Sequence, residues 1–265
     1  MSAPSRGVLT CRLLLLVSVS SAGCVCVSPR DGLRPLPVAE RAAPRCPPDM
    51  AAIPGGTYRM GEMGNLVTIE PICLDRDEVT VEAYARCRSC TPPKSHEPWV
   101  GSFQPEAYGC NWQRPGAAQH PVNCVDWEQA GAYCAWNHRR LPTEAEWEWA
   151  ARGGDDARPY PWGSASPSTQ LCWPGTSDAQ PGHHTTCAIR SYPHGIGRWD
   201  VNDLAGNVWE WTSSIYQDEV APGVTFYVVR GGGWEATDPA LMKVAFRSRE
   251  ESTAQLPYNG IRCAR

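Results

Sequence analysis

Residues 203–211 of this chain read DLAGNVWEW, and residues 230–234 read RGGGW. In the first stretch two carboxylates stand on either side of a glycine, an arrangement that can offer carboxylate and carbonyl oxygens to a hard cation such as Ca²⁺. The second stretch is followed by EATDPALM at residues 235–242, and no cysteine occurs between Cys187 and Cys263. The C-terminal part of the chain therefore combines a candidate cation loop with a long segment that contains no thiol.

Length and composition indicate a globular chain. The 265 residues allow one large domain or two small ones, and 42% hydrophobic residues are enough for one sizeable core. Lys and Arg number 24 against 28 Asp and Glu, and no basic run occurs, so a nucleic-acid partner is not expected. Twelve Trp against three Phe predict an irregular core that is rich in tryptophan.

The first 23 residues have the pattern of a signal peptide. Two arginines precede the apolar run 13–19, which is shorter than the about 20 residues that a membrane-spanning helix needs. Ser21-Ala22-Gly23-Cys24 resembles a bacterial lipobox, with Ser21 where Leu is usual, so Cys24 is the predicted lipidation site. We expect residues 1–23 to be removed and the chain to be exported as a lipoprotein of the outer membrane or the periplasmic face. Secretion without a lipid and an uncleaved anchor are the alternatives.

Residues 24–48 are predicted to form a proline-rich tether, because they hold six prolines and no hydrophobic period. Removal of residues 1–23 takes away two arginines and no acidic residue, which brings the net charge from −4 to −6. An acidic surface does not attract anionic lipid or nucleic acid. Membrane attachment is therefore expected only through the lipid anchor.

Local signals predict short elements in the rest of the chain. Residues 51–61 have the pattern of a strand, a Pro-Gly-Gly turn and a second strand. Thr80, Asp126 and Thr143 are predicted helix N-caps, and the last two are followed three residues later by Gln or Glu. Beyond Gly154 turns and short strands predominate.

Several further blocks resemble, in order, those of the formylglycine-generating enzymes, also called sulfatase-modifying factors. Besides DLAGNVWEW and RGGGW they are IPGGTYRMG at 53–61, HPVNCVDW at 120–127, RLPTEAEWEWAARGG at 140–154, YPWG at 160–163 and GIRC at 260–263. The resemblance implies a single compact, turn-rich α+β domain over residues 49–265, a variant of the C-type lectin fold. Trp127, Trp147, Trp149, Trp209 and Trp211 lie within these blocks and are predicted to be core residues.

Enzymes of this family oxidise a sulfatase cysteine with a pair of their own cysteines, placed shortly after the Gly-Gly segment. A thiolate pair suits the soft Cu(I) ion, whereas residues 235–242 offer no thiol. Copper is therefore not an expected cofactor, and the chain is expected not to make formylglycine. His183-His184 is predicted to be an exposed pair on the surface rather than a metal site.

The resemblance also implies a calcium loop with the side chains of Asp203 and Glu210 and the carbonyls of Gly206 and Val208 as ligands. The alternative is that the two carboxylates only satisfy buried backbone amides. A second calcium site of the family is not expected before Trp173, because Leu171-Cys172 stand where an Asn-containing triplet should be.

Thirteen cysteines in an exported chain predict disulfides. The resemblance implies a bridge between Cys134 and Cys263. For the others we expect Cys110–Cys124 and Cys172–Cys187, with Cys46, Cys73, Cys87 and Cys90 paired among themselves. Zinc at Cys87-x-x-Cys90 is the alternative for that pair.

Candidate ligand residues in the groove of such a domain are Trp234, Arg247 and Arg249, with Trp99, Trp112 and Trp199 as further candidates in variable or groove-proximal segments. The first functional hypothesis is a binding or envelope-assembly module without catalysis, with a protein, peptide or glycan ligand in the cell envelope. The second is a divergent oxidoreductase of the same family, of the formylglycine-generating or siderophore-maturation type. A sugar-binding module is the third.

Overall fold

A computed structural model describes residues 42–61, 64–97, 109–175, 185–217 and 223–265. The predicted signal peptide, Cys24, most of the tether, Trp99 and His183-His184 lie outside these residues. Cys46, which falls within the predicted tether, is bonded to Cys73. The folded domain therefore includes residues that precede the predicted boundary at residue 49.

The helices are short, and local capping determines where they begin. In the described part of the chain they are α1 Val81–Tyr84, α2 Trp127–Trp136 and α3 Glu144–Ala151. Thr80 caps α1 by accepting a hydrogen bond from the amide of Ala83. Asp126 and Thr143 each form a complete capping box with the residue three positions on. The predicted N-caps are confirmed.

The strands of the described residues form three small sheets. They are β1 Met50–Ile53, β2 Gly56–Arg59, β3 Leu66–Ile69, β4 Ile72–Asp75, β5 Trp209–Tyr216, β6 Phe226–Arg230, β7 Ser248–Glu251 and β8 Asn259–Gly260. β1 pairs with β4 and β2 pairs with β3, both antiparallel. The predicted strand–turn–strand at residues 51–61 is present, but its two strands belong to different sheets.

The largest sheet brings the family motifs together. Its strand order is β7-β6-β5-β8, with β5 and β8 parallel and the other pairs antiparallel. In the register, Glu210 lies opposite Arg230 on one side and Gly260 on the other. A Cβ at Gly260 would lie 2.6 Å from Val208 Cγ2, so this close approach requires a glycine.

Tryptophans dominate the core, as predicted. Trp147, Trp149 and Trp211 are at most 1% exposed, and Trp209 is 5% exposed. Trp127 is only partly buried, and its ring stacks on Tyr227 with the ring centroids 4.0 Å apart. This core fixes α3 against the sheet that carries the motifs.

Every cysteine of the described residues is in a disulfide. The five bridges are Cys46–Cys73, Cys87–Cys90, Cys110–Cys124, Cys134–Cys263 and Cys172–Cys187. The predicted disulfide framework is confirmed. Cys87 and Cys90 are bonded to each other, so their thiols are not free to bind zinc. No helix within the described ranges is both long and apolar enough to cross a membrane.

Candidate functional site

The carboxylate of Glu210, a predicted calcium ligand, is fully buried and bound by an arginine. Arg262 Nε donates to both carboxylate oxygens at 2.9 Å, and Arg262 Nη2 donates to Oε1 at 2.7 Å. Trp147 Nε1 donates to Oε2 at 2.6 Å. Each oxygen thus accepts two hydrogen bonds, so this arrangement leaves no lone pair of Glu210 for a cation.

Two more acidic groups lie beside this ion pair. Asp203 Oδ2 accepts a hydrogen bond from the backbone amide of Arg190 at 3.0 Å. Glu78, which had no role in the sequence analysis, accepts from Asn207 Nδ2 at 2.5 Å and from the amide of Val208. Burial raises the pKa of Glu78, and the charges of Asp203 and Glu210 raise it further. Burial also raises the pKa of Asp203, and the charges of Asp77 and Glu210 raise it further.

The loop therefore lies beside two buried acids, Glu78 and Glu210, and the partly buried Asp203, and the Arg262 guanidinium is bound to Glu210. Within the described ranges, no three His, Cys, Asp or Glu side chains are grouped closely enough to hold a metal ion. In this arrangement both carboxylate oxygens of Glu210 are bonded to Arg262 or Trp147, so its side chain is not free to bind Ca²⁺. Calcium binding would require Glu210 to leave Arg262.

The segment that replaces the reactive thiols has its own partly buried acid, Glu235. Its Oε1 accepts a hydrogen bond from Trp209 Nε1 at 3.0 Å, while its Oε2 is buried without a partner. Gly233 makes room for this carboxyl group, because a Cβ there would lie 2.2 Å from Oε2. Burial raises the pKa of Glu235. The rest of the segment is structural, with Ala236 and Met242 in the core.

Glu250 of β7 and Tyr258 belong to the same neighbourhood. Burial raises the pKa of Glu250 to about 7, and the charges of Glu235 and Glu251 contribute to the shift. Burial and the charges of Glu250 and Glu235 raise the pKa of Tyr258. Glu235, in the segment that replaces the thiols, is thus within electrostatic reach of Glu250 and Tyr258. One sign of this is visible in the sequence, namely the Glu directly after RGGGW.

The substitution Glu250→Gln is expected to change the pH dependence of stability. The folded-state pKa of Glu250 lies above its ordinary value of 4.5, so the folded chain binds the proton more tightly than the unfolded chain. The stability that Glu250 contributes is therefore present below pH 4.5 and lost as the pH rises through about 7. The melting temperature of Glu250→Gln is expected to rise relative to that of the wild type as the pH increases from 4.5 to about 7. Glu251→Gln is the control, and an equal gain for it would contradict the assignment.

The predicted groove residues do not form one cluster. Trp234 Nε1 donates to the carbonyl of Pro257 at 2.9 Å. Arg247 binds Glu144 at 2.8 Å, and both Arg247 and Arg249 stack on Tyr216. Arg247 also lines a groove of about 380 Å³ beside Met60, Val67, Glu148 and the buried Arg230.

The fold and the meeting of the motifs in one sheet define a compact α+β domain of the sulfatase-modifying-factor class. A family model described as "Sulfatase-modifying factor enzyme 1-like domain" matches residues 37–265, and the chain belongs to this family.

Known relatives include active and inactive proteins. The formylglycine-generating enzyme of Streptomyces coelicolor is 30% identical over 302 aligned positions, which cover 89% of this chain and 94% of that enzyme. The inactive C-alpha-formylglycine-generating enzyme 2 of Mus musculus is 44% identical over 119 residues, 43% of this chain and 37% of the mouse protein. Among solved structures, PvdO from Pseudomonas aeruginosa superimposes with a TM-score of 0.62 at 20% identity, covering 85% of this chain and 98% of PvdO. The likeness to PvdO shows the fold alone.

Proposed function

We propose that this chain is an exported, lipid-anchored member of the family that binds a partner in the cell envelope and does not generate formylglycine. The observation that carries the proposal is the state of the cysteines. The ten that the structure describes are all bridged, and the segment after RGGGW contains none. A copper-assisted thiol oxidation needs free thiolates at that place.

The acid in the segment after RGGGW supports the absence of the family's copper chemistry. Glu235 lies in the segment that replaces the thiols and offers a hard oxygen ligand, which does not suit Cu(I). The partner is a protein, a peptide or a glycan.

An oxygen-consumption assay with cysteine peptides, with and without copper, tests the absence of the family activity. We expect no peptide oxidation above the protein-free background, while the Streptomyces coelicolor enzyme serves as the positive control. Peptide aldehyde detected by mass spectrometry would overturn the proposal and favour a divergent oxidoreductase.

The lipid anchor has a separate test. Mass spectrometry of the membrane fraction is expected to find an acylated N-terminus at Cys24, and Cys24→Ser is expected to shift the chain to the soluble fraction. An unacylated mature N-terminus in the wild type contradicts the anchor.

Structural calcium is also a proposal, because the family loop is present in sequence although Glu210 is bound to Arg262. If Ca²⁺ displaces this ion pair, calorimetry shows heat with the wild type and none with Asp203→Asn. No heat with the wild type means that the carboxylates satisfy only internal partners.

A further inference from the structure

A cavity of about 190 Å³ lies at the C-terminal end of α3. Four charged residues line it, namely Glu148, Arg152, Arg158 and Lys243. We infer that this cavity, the α3 cavity, binds the carboxylate of a peptide or protein partner, supplied by an acidic side chain or by a C-terminus. The inference rests on the proposed binding function and gives the partner a recognition chemistry.

Backbone hydrogen bonds bring the three cations to one place. Arg152 is the C-cap of α3, and its carbonyl accepts a hydrogen bond from the amide of Arg158 at 3.0 Å. The carbonyl of Pro159 in turn accepts from the amide of Val244, the residue after Lys243, at 3.0 Å. These contacts fix the walls of the α3 cavity independently of the side-chain charges.

Arg152 is the observation that carries the inference. Its side chain is only 15% exposed, and its guanidinium lies over the ring of Tyr58, 4.7 Å from the centroid. Among the described residues the guanidinium donates one hydrogen bond, from Nη1 to the carbonyl of Arg59 at 2.7 Å, and its Nε is buried without a partner. A guanidinium has five N–H donors, and buried polar groups are ordinarily bonded. Hydrogen-bonding capacity is therefore left over on a cation that lines the cavity.

The ion pairs around Arg152 leave one positive charge unbalanced. A row of pairs runs through Arg247, Glu144, Arg230, Glu148 and Arg152. Three arginines thus share two carboxylates. Glu148 lies 2.5 Å from Arg230 Nη2 but 3.8 Å from Arg152 Nη1, so Arg152 has the weaker hold on this acid. One further negative charge beside Arg152 would balance the row.

Arg158 is a second donor that is already partly neutralised. Its Nη2 and Nε donate to Asp156 Oδ2 at 2.8 and 3.0 Å, and its Nη1 donates to the carbonyl of Pro161 at 3.2 Å. Asp156 also lies 3.4 Å from Arg198 Nη1. Arg158 is therefore expected to contribute less to binding than Arg152.

The chemistry of the cavity favours a carboxylate. The planar guanidinium presents parallel N–H donors, which a carboxylate accepts with both oxygens. A cationic ligand does not suit three positive charges and one acid that is already bound to Arg230. A carboxylate supplies the single charge that the row of ion pairs lacks, whereas a phosphate group carries about −1.5 to −2.

Three small compounds test the cavity by NMR titration of the full chain, with the arginine Nε–H signals as the readout. N-acetylglutamate α-amide has a side-chain carboxylate, N-acetylglycine has a C-terminal carboxylate, and N-acetylglutamine α-amide is neutral. We expect a saturable shift of the Arg152 signal with one or both carboxylates and none with the neutral compound, and the comparison identifies the source of the carboxylate. An equal shift with the neutral compound, or no saturable shift with either carboxylate, would overturn the inference. Tighter binding of inorganic phosphate than of both carboxylates would also overturn it.

Variants separate a ligand role of Arg152 from a structural one, with the Arg158 signal as the readout. Arg152→Gln is expected to weaken carboxylate binding by roughly tenfold or more. Arg152→Lys keeps the charge without the planar fork and should stay at least about threefold weaker than the wild type. Arg88→Gln is the control, because Arg88 is exposed and is not among the residues that line the cavity, and its effect should stay below about twofold. Unchanged affinity in Arg152→Gln contradicts the site.

Arg158→Gln keeps the inference testable if Arg152→Gln does not fold, since the side chain of Arg158 is 27% exposed. With the Arg152 signal as the readout, we expect binding about threefold weaker, because Asp156 already takes two of its donors. Unchanged affinity in this variant would count against the site as well.

The outcome is distinguishable from failure of the proposed function. Oxidation of cysteine peptides would refute the proposed function whatever the carboxylate result. Without oxidation, loss of the carboxylate preference refutes only the recognition chemistry.

Discussion

Replacing Arg262 with methionine is expected to lower the free energy of unfolding by about 3–5 kcal/mol. The side chain of Arg262 is fully buried and forms an ion pair with Glu210 at 2.7 Å. It also donates to the carbonyls of Asp75 and Asn202. Without the guanidinium, Glu210 is an uncompensated buried charge next to Glu78, and the two carbonyls lose a donor. Urea denaturation of wild type and variant measures the difference.

The matched control is Arg86→Met, which breaks an exposed ion pair with Glu82 on α1. Its cost should stay below about 1 kcal/mol, because exposed pairs are screened by water. Adding Glu210→Gln to Arg262→Met should recover part of the loss, since it removes the unpaired charge. A loss in Arg262→Met no larger than that of the control would show that Glu210 is compensated in another way.

The capping boxes could be predicted from the sequence because they are local. Asp126 and Thr143 satisfy amides only three residues away, so their signal is contained in four consecutive residues. The pairing of strands is not local. β1 and β2 are joined by a tight turn, yet each pairs with a different later strand. The turn residues look the same in the sequence whether the two strands pair with each other or with other strands.

The candidate site could be located from the sequence but not built from it. The sequence shows directly that the segment after RGGGW has no cysteine and that residues 203–210 match the family's calcium loop. The partner of Glu210 is Arg262, 52 residues further along the chain, and no spacing rule links the two. Glu235 is a charged residue in a turn-rich segment, where solvent exposure is the ordinary expectation. Its partial burial depends on Trp209 and Gly233, which the fold brings to it.

Loss of the Cys134–Cys263 bridge, by replacing both cysteines with alanine, is expected to lower the free energy of unfolding by about 4–5 kcal/mol. The bridge joins α2 to the end of the chain across a sequence separation of 129 residues. It therefore removes a large part of the freedom of the unfolded chain. Both cysteines are fully buried, so the lost packing adds to the entropic effect. Denaturation in urea, monitored by tryptophan fluorescence, measures the change.

The bridge Cys87–Cys90 is the internal control, because its separation is only 3 residues. The same entropic relation gives about 2 kcal/mol for so small a loop. The double alanine variant at Cys87 and Cys90 should therefore lose less than half as much stability. Equal losses would mean that native packing, rather than loop closure, accounts for the contribution of Cys134–Cys263. A larger loss at the long bridge would show that α2 and the C-terminal residues of this turn-rich domain are held together by a covalent bond where regular structure is sparse.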